Sequence, residues 1–332
     1  MKLVFLKKNN MRLFLLIILF PIFSHSQNER EIFTMFYNVE NLFDTINNPN
    51  KEDDEFLPNG RKEWNTKKYY QKIHQLAKVF ENINQGNKLN LIALSEVENQ
   101  YVIQDLLKTD FLKNNKYTII HKNSPDKRGI DCAILIDETF ELLEEDFISI
   151  KIPNGRPTRD IVYAKLGLGG EIIHVFINHW PSRWGGQEKT EPRRLLAAKT
   201  LRNYIEKNIP QKENILLMGD FNDYPSNKSV QDILVQKDFI NLMSTKKLKD
   251  LGSYNYKGEW NFIDHIITSR NFLNVRNNLR ITNYNVFKED WLLYYNEGDG
   301  QYYPNRTFGK SWYGGFSDHL AIFCVFKQTQ LN

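Results

Sequence analysis

Apolar runs of strand length recur along the chain, and many stop at a residue able to do chemistry. The clearest is ILLMGDFND at 215–223. Four uninterrupted apolar residues suit a strand buried on both faces, Gly219 breaks it, and Asp220, Asn222 and Asp223 follow at once. Side chains at such a point are fixed by a core element yet reach solvent. The same form recurs. Asn38 closes IFTMFY, Glu96 follows LIALS, His179 follows IHVFIN, Asp264-His265 interrupt FIDHII, and Ser317-Asp318-His319 precede LAIFCVF. If these ends share one edge of a sandwich, carboxylates, amides and imidazoles converge on one cleft.

The rest of the pattern predicts the elements between them. Residues 32–39 read as a first strand and 47–64 as an exposed loop rich in Asn, Asp, Glu, Pro and Gly. Residues 67–84 read as a helix with Tyr70, Ile73, Leu76, Ala77 and Phe80 on one stripe. A buried strand at 89–94, a helix at 99–107 and a strand pair at 117–121 and 130–136 follow, with 140–152 continuing the sheet until GRPTRD. Residues 161–166 and 172–178 form a hairpin about Gly167, Gly169 and Gly170. A helix is expected at 191–207 with Leu195, Leu196, Lys199 and Leu201 on its packed face, then a short helix at 228–234 and strands at 262–269 and 320–326. Strands and helices alternate but hairpins intervene, so a mixed or antiparallel α/β sandwich fits better than a parallel doubly wound sheet. No repeat, heptad series or Ser/Gly linker divides the chain, which predicts a single domain over 27–332.

Composition changes the picture at the N-terminus. Lys2, Lys7, Lys8 and Arg12 precede an uncharged apolar run of 11 residues, and Ser24-His25-Ser26 offers the small residues a signal peptidase accepts. That run is short against the roughly 20 residues of a membrane span. Residues 1–26 are therefore expected to be a signal peptide, with an uncleaved anchor as the alternative and no lipid-attachment cysteine following. The expected product is an exported monomer, periplasmic or extracellular, without a stable membrane span. Of 44 basic and 40 acidic residues, four basic ones and no acidic one lie in 1–26, leaving 40 of each. Zero formal charge gives no argument for nucleic-acid binding. Cys132 and Cys324 lie in apolar runs and read as small buried hydrophobes, with a disulfide allowed but not demanded.

Asn38 and Glu96 both offer oxygen ligands to a hard cation such as Mg²⁺, with Mn²⁺ or Ca²⁺ as substitutes, and Glu98 is an alternative ligand. The plainer reading gives Asn38 a turn and Glu96 a helix start. His179 and His319 stand out among seven histidines because imidazole exchanges protons near neutral pH, and Asp131, Asp220 and Asp264 are available to orient them. There is no HExxH, cysteine cluster, Walker loop or GxSxG, which argues against zinc, P-loop and serine-hydrolase chemistry. What remains is an oxygen-ligated metal beside two imidazoles, a set suited to attack of water on phosphorus. Arg159, Arg183, Arg193 and Arg306 are candidate phosphate contacts. Trp180, Trp184, Trp312, Tyr313 and Phe316 are candidate rim residues that either stack on a base or sugar or merely order the loops.

Seven segments together resemble the endonuclease/exonuclease/phosphatase superfamily, and most closely its secreted bacterial members. They are YNVENLFD, IALSEVEN, RGIDCAIL, INHWPSRWGG, GDFND, FIDHII and GGFSDH, in the family's order over nearly the whole chain. The resemblance implies a four-layer α/β sandwich, two packed β-sheets flanked by helices, that hydrolyses phosphate esters with a divalent metal. It implies that Asn38 and Glu96 bind the metal with Asp318 at the same cleft, and that Asp220 and Asn222 orient water and phosphate. By the same likeness His319 is the general base with Asp264 as its partner, and His179 is a second histidine with Asp131 as its acidic partner. The expected activity is cleavage of DNA or RNA. The alternatives are a phosphatase or phosphodiesterase for a small molecule or lipid headgroup and, from another class, a non-catalytic binding module.

Overall fold

The computed structural model describes residues 29–245 and 251–329, and the leader expected at 1–26 lies outside them. In chain order the strands are β1 (Glu29–Leu42), β2 (Leu91–Val97), β3 (Tyr117–His121), β4 (Asp131–Asp137), β5 (Glu141–Ile148), β6 (Ile161–Leu168), β7 (Glu171–His179) and β8 (Asn214–Asp220). They continue with β9 (Phe239–Asn241), β10 (Tyr254–Tyr256), β11 (Glu259–Asn261), β12 (Asp264–Ser269), β13 (Leu279–Val286), β14 (Leu293–Asn296), β15 (Gln301–Pro304) and β16 (Ile322–Thr329). The α-helices are α1 (Thr66–Ile83), α2 (Gln100–Leu107) and α3 (Gln187–Asn208). Asn65 and Asn99 cap the first two, their side-chain oxygens accepting backbone N–H groups of the first turn.

Two six-stranded sheets result, one ordered β13-β16-β1-β2-β4-β3 and the other β5-β6-β7-β8-β12-β9. The β1–β2 and β7–β8 pairs are parallel and the other pairs antiparallel, so both sheets are mixed. Strand alternation assigns each residue to a layer. In β8, Leu216 and Met218 enter the core between the sheets, whereas Ile215 and Leu217 enter a second core with Ala197, Ala198, Leu201 and Ile205 of α3. On the other sheet Ile73, Leu76 and Phe80 of α1 join the larger core. The architecture is the expected four-layer sandwich of two mixed sheets flanked by helices. Among the described residues no helix is long and apolar enough to cross a membrane.

Several local expectations are corrected. Loop 47–64 is not wholly exposed, because Phe56 and Trp64 are buried, the first stacked on Phe43 and the second packed against Phe56 and Phe308. On α1 the buried tyrosine is Tyr69, while Tyr70 faces solvent. Helix α3 starts a turn early, with Pro192 inside it, and buries Arg194, Ala197, Ala198, Leu201 and Arg202 rather than Leu195, Leu196 and Lys199. Cys132 and Cys324, by contrast, are buried free thiols, in keeping with their reading as small buried hydrophobes.

Candidate active site

Strand register brings the first groups together. In the parallel β7–β8 pair His179 lies opposite Asp220, and in the antiparallel β8–β12 pair Asp264 lies opposite Asp220. The inward residues of β7 are Ile173, Val175, Ile177 and then His179. Asp220 shares parity with Met218, and Asp264 with Ile266, so all three polar groups face between the sheets. Gly219 permits this pairing, since a Cβ there would stand 2.1 Å from the backbone oxygen of Asn178 and its φ is 148°.

The facing sheet supplies Asn38 and Glu96 from bulges. Pairing of β1 with β2 shifts after Asn38, pairing of β2 with β4 shifts about Glu96, and Glu96 takes φ 65°. A bulge turns one side chain out of the ladder's alternation, and here it aims the Glu96 carboxylate at the other sheet. Its Oε1 lies 3.7 Å from His179 Nε2, and its Oε2 accepts the Asn41 N–H at 2.9 Å. Asn38 donates its amide to Glu96 at 3.4 Å and to Asp220 at 3.2 Å, while its Oδ1 accepts the Glu40 N–H at 3.0 Å. It therefore reaches the site as expected but turns nitrogen, not oxygen, toward the carboxylates. Asn222, at φ 51°, donates its backbone N–H to Asp220 Oδ1 at 2.8 Å and its side-chain amide to the Trp180 carbonyl at 3.0 Å.

His319 and Asp264 form the expected pair, with 2.8 Å between Nδ1 and Oδ2. Asp220 Oδ2 stands between the two imidazoles, 3.6 Å from His179 Nε2 and 3.8 Å from His319 Nε2. Burial works against a charged His319, but Asp264, Asp220 and Asp318 outweigh it and hold the imidazolium well above the ordinary histidine value. Burial, reinforced by Arg159 and Arg128, drives His179 well below it. Burial also pushes the Asp220 carboxyl up to about 7, against the pull of His319.

These groups open into a cavity of about 590 Å³ lined also by Arg128, Arg159, Arg183, Trp184, Tyr254 and Tyr256. Asp220, Asp264 and His319 each bring one ligand atom within 4.8 Å of the others, a set able to hold a metal ion. Asp264 Oδ1 is buried without a hydrogen-bond partner, so this carboxylate has lone pairs to spare beyond its bond to His319. Oxygen-rich donors of this kind fit a hard divalent ion.

Several expected roles change. Asp131 is not hydrogen-bonded to His179, whose Nδ1 is buried without a partner; it accepts the Ser124 N–H at 3.1 Å and lies 3.9 Å from His121 Nε2. Its carboxylate is committed instead to the turn at Ser124. Trp180 is fully buried, because the residue after His179 turns to the opposite face, where it packs on Phe221. Arg306 holds Glu40 at 2.9 Å and Asp318 at 3.1 Å instead of lining the cavity. Glu98 accepts the Asp44 N–H at 2.7 Å, away from the carboxylate group. Arg159 and Arg183 do reach the cavity, the first bonded to the Trp180 carbonyl at 2.6 Å and the second to the Asn222 carbonyl at 2.7 Å. Arg193 is exposed on α3, Phe316 is buried, and Trp312 packs on Trp64. Tyr254 and Tyr256 carried no signal in the sequence, since only the fold of their hairpin brings them to the site.

A four-layer α/β sandwich with clustered acidic groups and a carboxylate-held histidine at the ends of its strands defines a metal-dependent phosphoric-ester hydrolase. The chain belongs to the Endonuclease/Exonuclease/phosphatase family, whose model matches residues 33–328. No curated protein matches it. Among solved structures it is similar to humanized TDP2 of D. rerio, with 14% identity, TM-score 0.58, and coverage of 89% of this chain and 98% of that one. A family protein from Bacteroides thetaiotaomicron has 14% identity and TM-score 0.58, covering 91% and 99%. A mannosyl-6-phosphatase from Bacteroides thetaiotaomicron has 14% identity and TM-score 0.56, covering 88% and 98%. At such identities the likeness is one of fold.

Proposed function

We propose that the protein cleaves phosphodiester bonds of a DNA or RNA strand by attack of water on phosphorus. The observation that carries this reading is the pair of imidazoles flanking Asp220, at 3.6 and 3.8 Å from one carboxylate oxygen. One group can take the proton of water while the other faces the departing oxygen. In its neutral form His319 donates Nδ1–H to Asp264 and turns Nε2 toward the cavity to accept the proton, a form that a divalent ion beside Asp220 would favour by offsetting the carboxylates that hold the imidazolium. Asn222 and Asp220 set the line of attack, and His179 stands on the leaving side. Arg159 and Arg183 face the phosphate oxygens. Glu96, Asp318 and Asp220, beside Asn38, are the groups assigned to the metal, Mg²⁺ with Mn²⁺ or Ca²⁺ as substitutes, and Asp264 and His319 of the clustered set keep the proton-transfer role. When bound, that ion supplies a Lewis acid against the phosphate charge.

A phosphate ester of a sugar or lipid headgroup is the second reading, favoured by the balanced charge outside the leader and by a cavity of about 590 Å³, within the range of small-molecule sites. The basic and apolar leader pattern at 1–26 supports export to the periplasm or beyond. A panel of single-stranded DNA, RNA, a simple phosphodiester and phosphorylated sugars, assayed with Mg²⁺ and with chelator, separates the readings. Metal-dependent cleavage of the strands is expected. Turnover of the sugar phosphates with the strands left intact would contradict the first reading.

A further inference from the structure

Trp184 is 90% exposed, unusual for the largest side chain, and it lines the active-site cavity. It sits on a tip formed with Gly185 and Gly186, at φ 90° and 113°, where an added Cβ would meet nothing within 4 Å. The foot of the same loop is fixed. Arg183 bonds the Asn222 carbonyl at 2.7 Å, Asp223 at 3.1 Å and Asn227 at 2.7 Å, and lies 3.9 Å over the Tyr224 ring. Arg194, fully buried on α3, stands 2.8 Å from Asp223 and donates to the Gln187 carbonyl at 3.0 Å.

Strand order places a second aromatic wall across from this tip. The sequence β7-β8-β12 puts the loop leaving β7 on one side of Asp220 and the hairpin entering β12 on the other. That hairpin brings Tyr256, 55% exposed, and Tyr254, whose ring centroid is 5.1 Å from that of His319. Arg128, Arg159 and Arg183 line the space that both walls share with the catalytic carboxylates.

We propose that Trp184 and Tyr256 form an aromatic clamp for the nucleobase next to the scissile phosphate. This rests on the polynucleotide reading above and makes Trp184 a specificity-determining residue. A planar base suits two rings on opposite rims, and the arginines between them place the attached phosphate at Asp220. The firm foot and open tip let the indole settle on the base without disturbing Asn222.

The test measures kcat/KM with Mg²⁺ for the dinucleotide TpT and for its analogues with an abasic sugar on either side of the linkage. Stacking on one base predicts that the wild type prefers TpT over one analogue by roughly 5- to 150-fold. In Trp184→Ala that ratio falls toward one, and Trp184→Phe restores most of it. A wild-type ratio of one, or a ratio unchanged in Trp184→Ala, overturns the clamp while leaving strand cleavage standing. Failure to cut TpT and DNA alike, with sugar phosphates hydrolysed, removes the polynucleotide reading and the base clamp with it.

Discussion

Glu96 and Asn222 hold left-handed backbone, at φ 65° and 51°, although neither is glycine. Such conformations cost on the order of 1–3 kcal/mol each and persist where surrounding structure enforces them. Both residues aim groups at the cavity, so strain and chemistry coincide. The sequence made Asp264 and His319 legible because each abuts an apolar run. Alternation sets Trp180 on the face opposite His179, but the sequence could not show that Phe221 covers that face and buries it. Nor could it show that Asp131 would sit beside His121 instead of bonding His179. The burial of His121 carries a prediction. It lowers the imidazole to about 4, so the folded state keeps it neutral while the unfolded chain binds a proton below about 6.5. Its contribution is complete above that pH and is lost as pH falls toward 4. His121→Gln should therefore gain on the wild type by up to about 3 kcal/mol on acidification from pH 7 to 4. Urea melts at several pH values check this, and a constant difference would contradict it.

At the scale of elements, most strands were readable from their apolar runs, and the β6–β7 hairpin and the β3–β4 pair appear where expected. Bulges were not readable, because an extra residue in one strand shows only against its partner. The face of α3 was misjudged for a related reason. Arg194 and Arg202 look solvent-facing in the sequence, yet the first is buried against Asp223 and the second bonds Glu206 and Asp238. Gly219 is the point where element geometry limits the site. Gly219→Ala would drive a methyl group into the Asn178 backbone and part β7 from β8, so a loss of about 3 kcal/mol or more is expected. Thermal melts would read it, and an unchanged midpoint would show that the two strands need no glycine.

Over the whole molecule, residues from opposite ends of the chain meet at one edge of the two sheets. Asn38 lies 3.5 Å from His319 across a sequence separation of 281. The order of polar strand ends foretold this meeting, whereas the hairpin carrying Tyr254 and Tyr256 became relevant only once it folded over the cavity. Buried Lys72 on α1 binds the backbone and hydroxyl of the segment leading into Asp318, which ties a helix of one outer layer to the catalytic edge. A chelator should abolish hydrolysis and added Mg²⁺ restore it, and activity that survives chelation would exclude a metal-dependent site. The central claim, that His319 held by Asp264 accepts the proton of attacking water, is tested most directly by kcat for phosphodiester cleavage in His319→Ala. With the fold intact by circular dichroism, kcat should fall on the order of 10²- to 10⁴-fold. A kcat equal to that of the wild type would contradict the account.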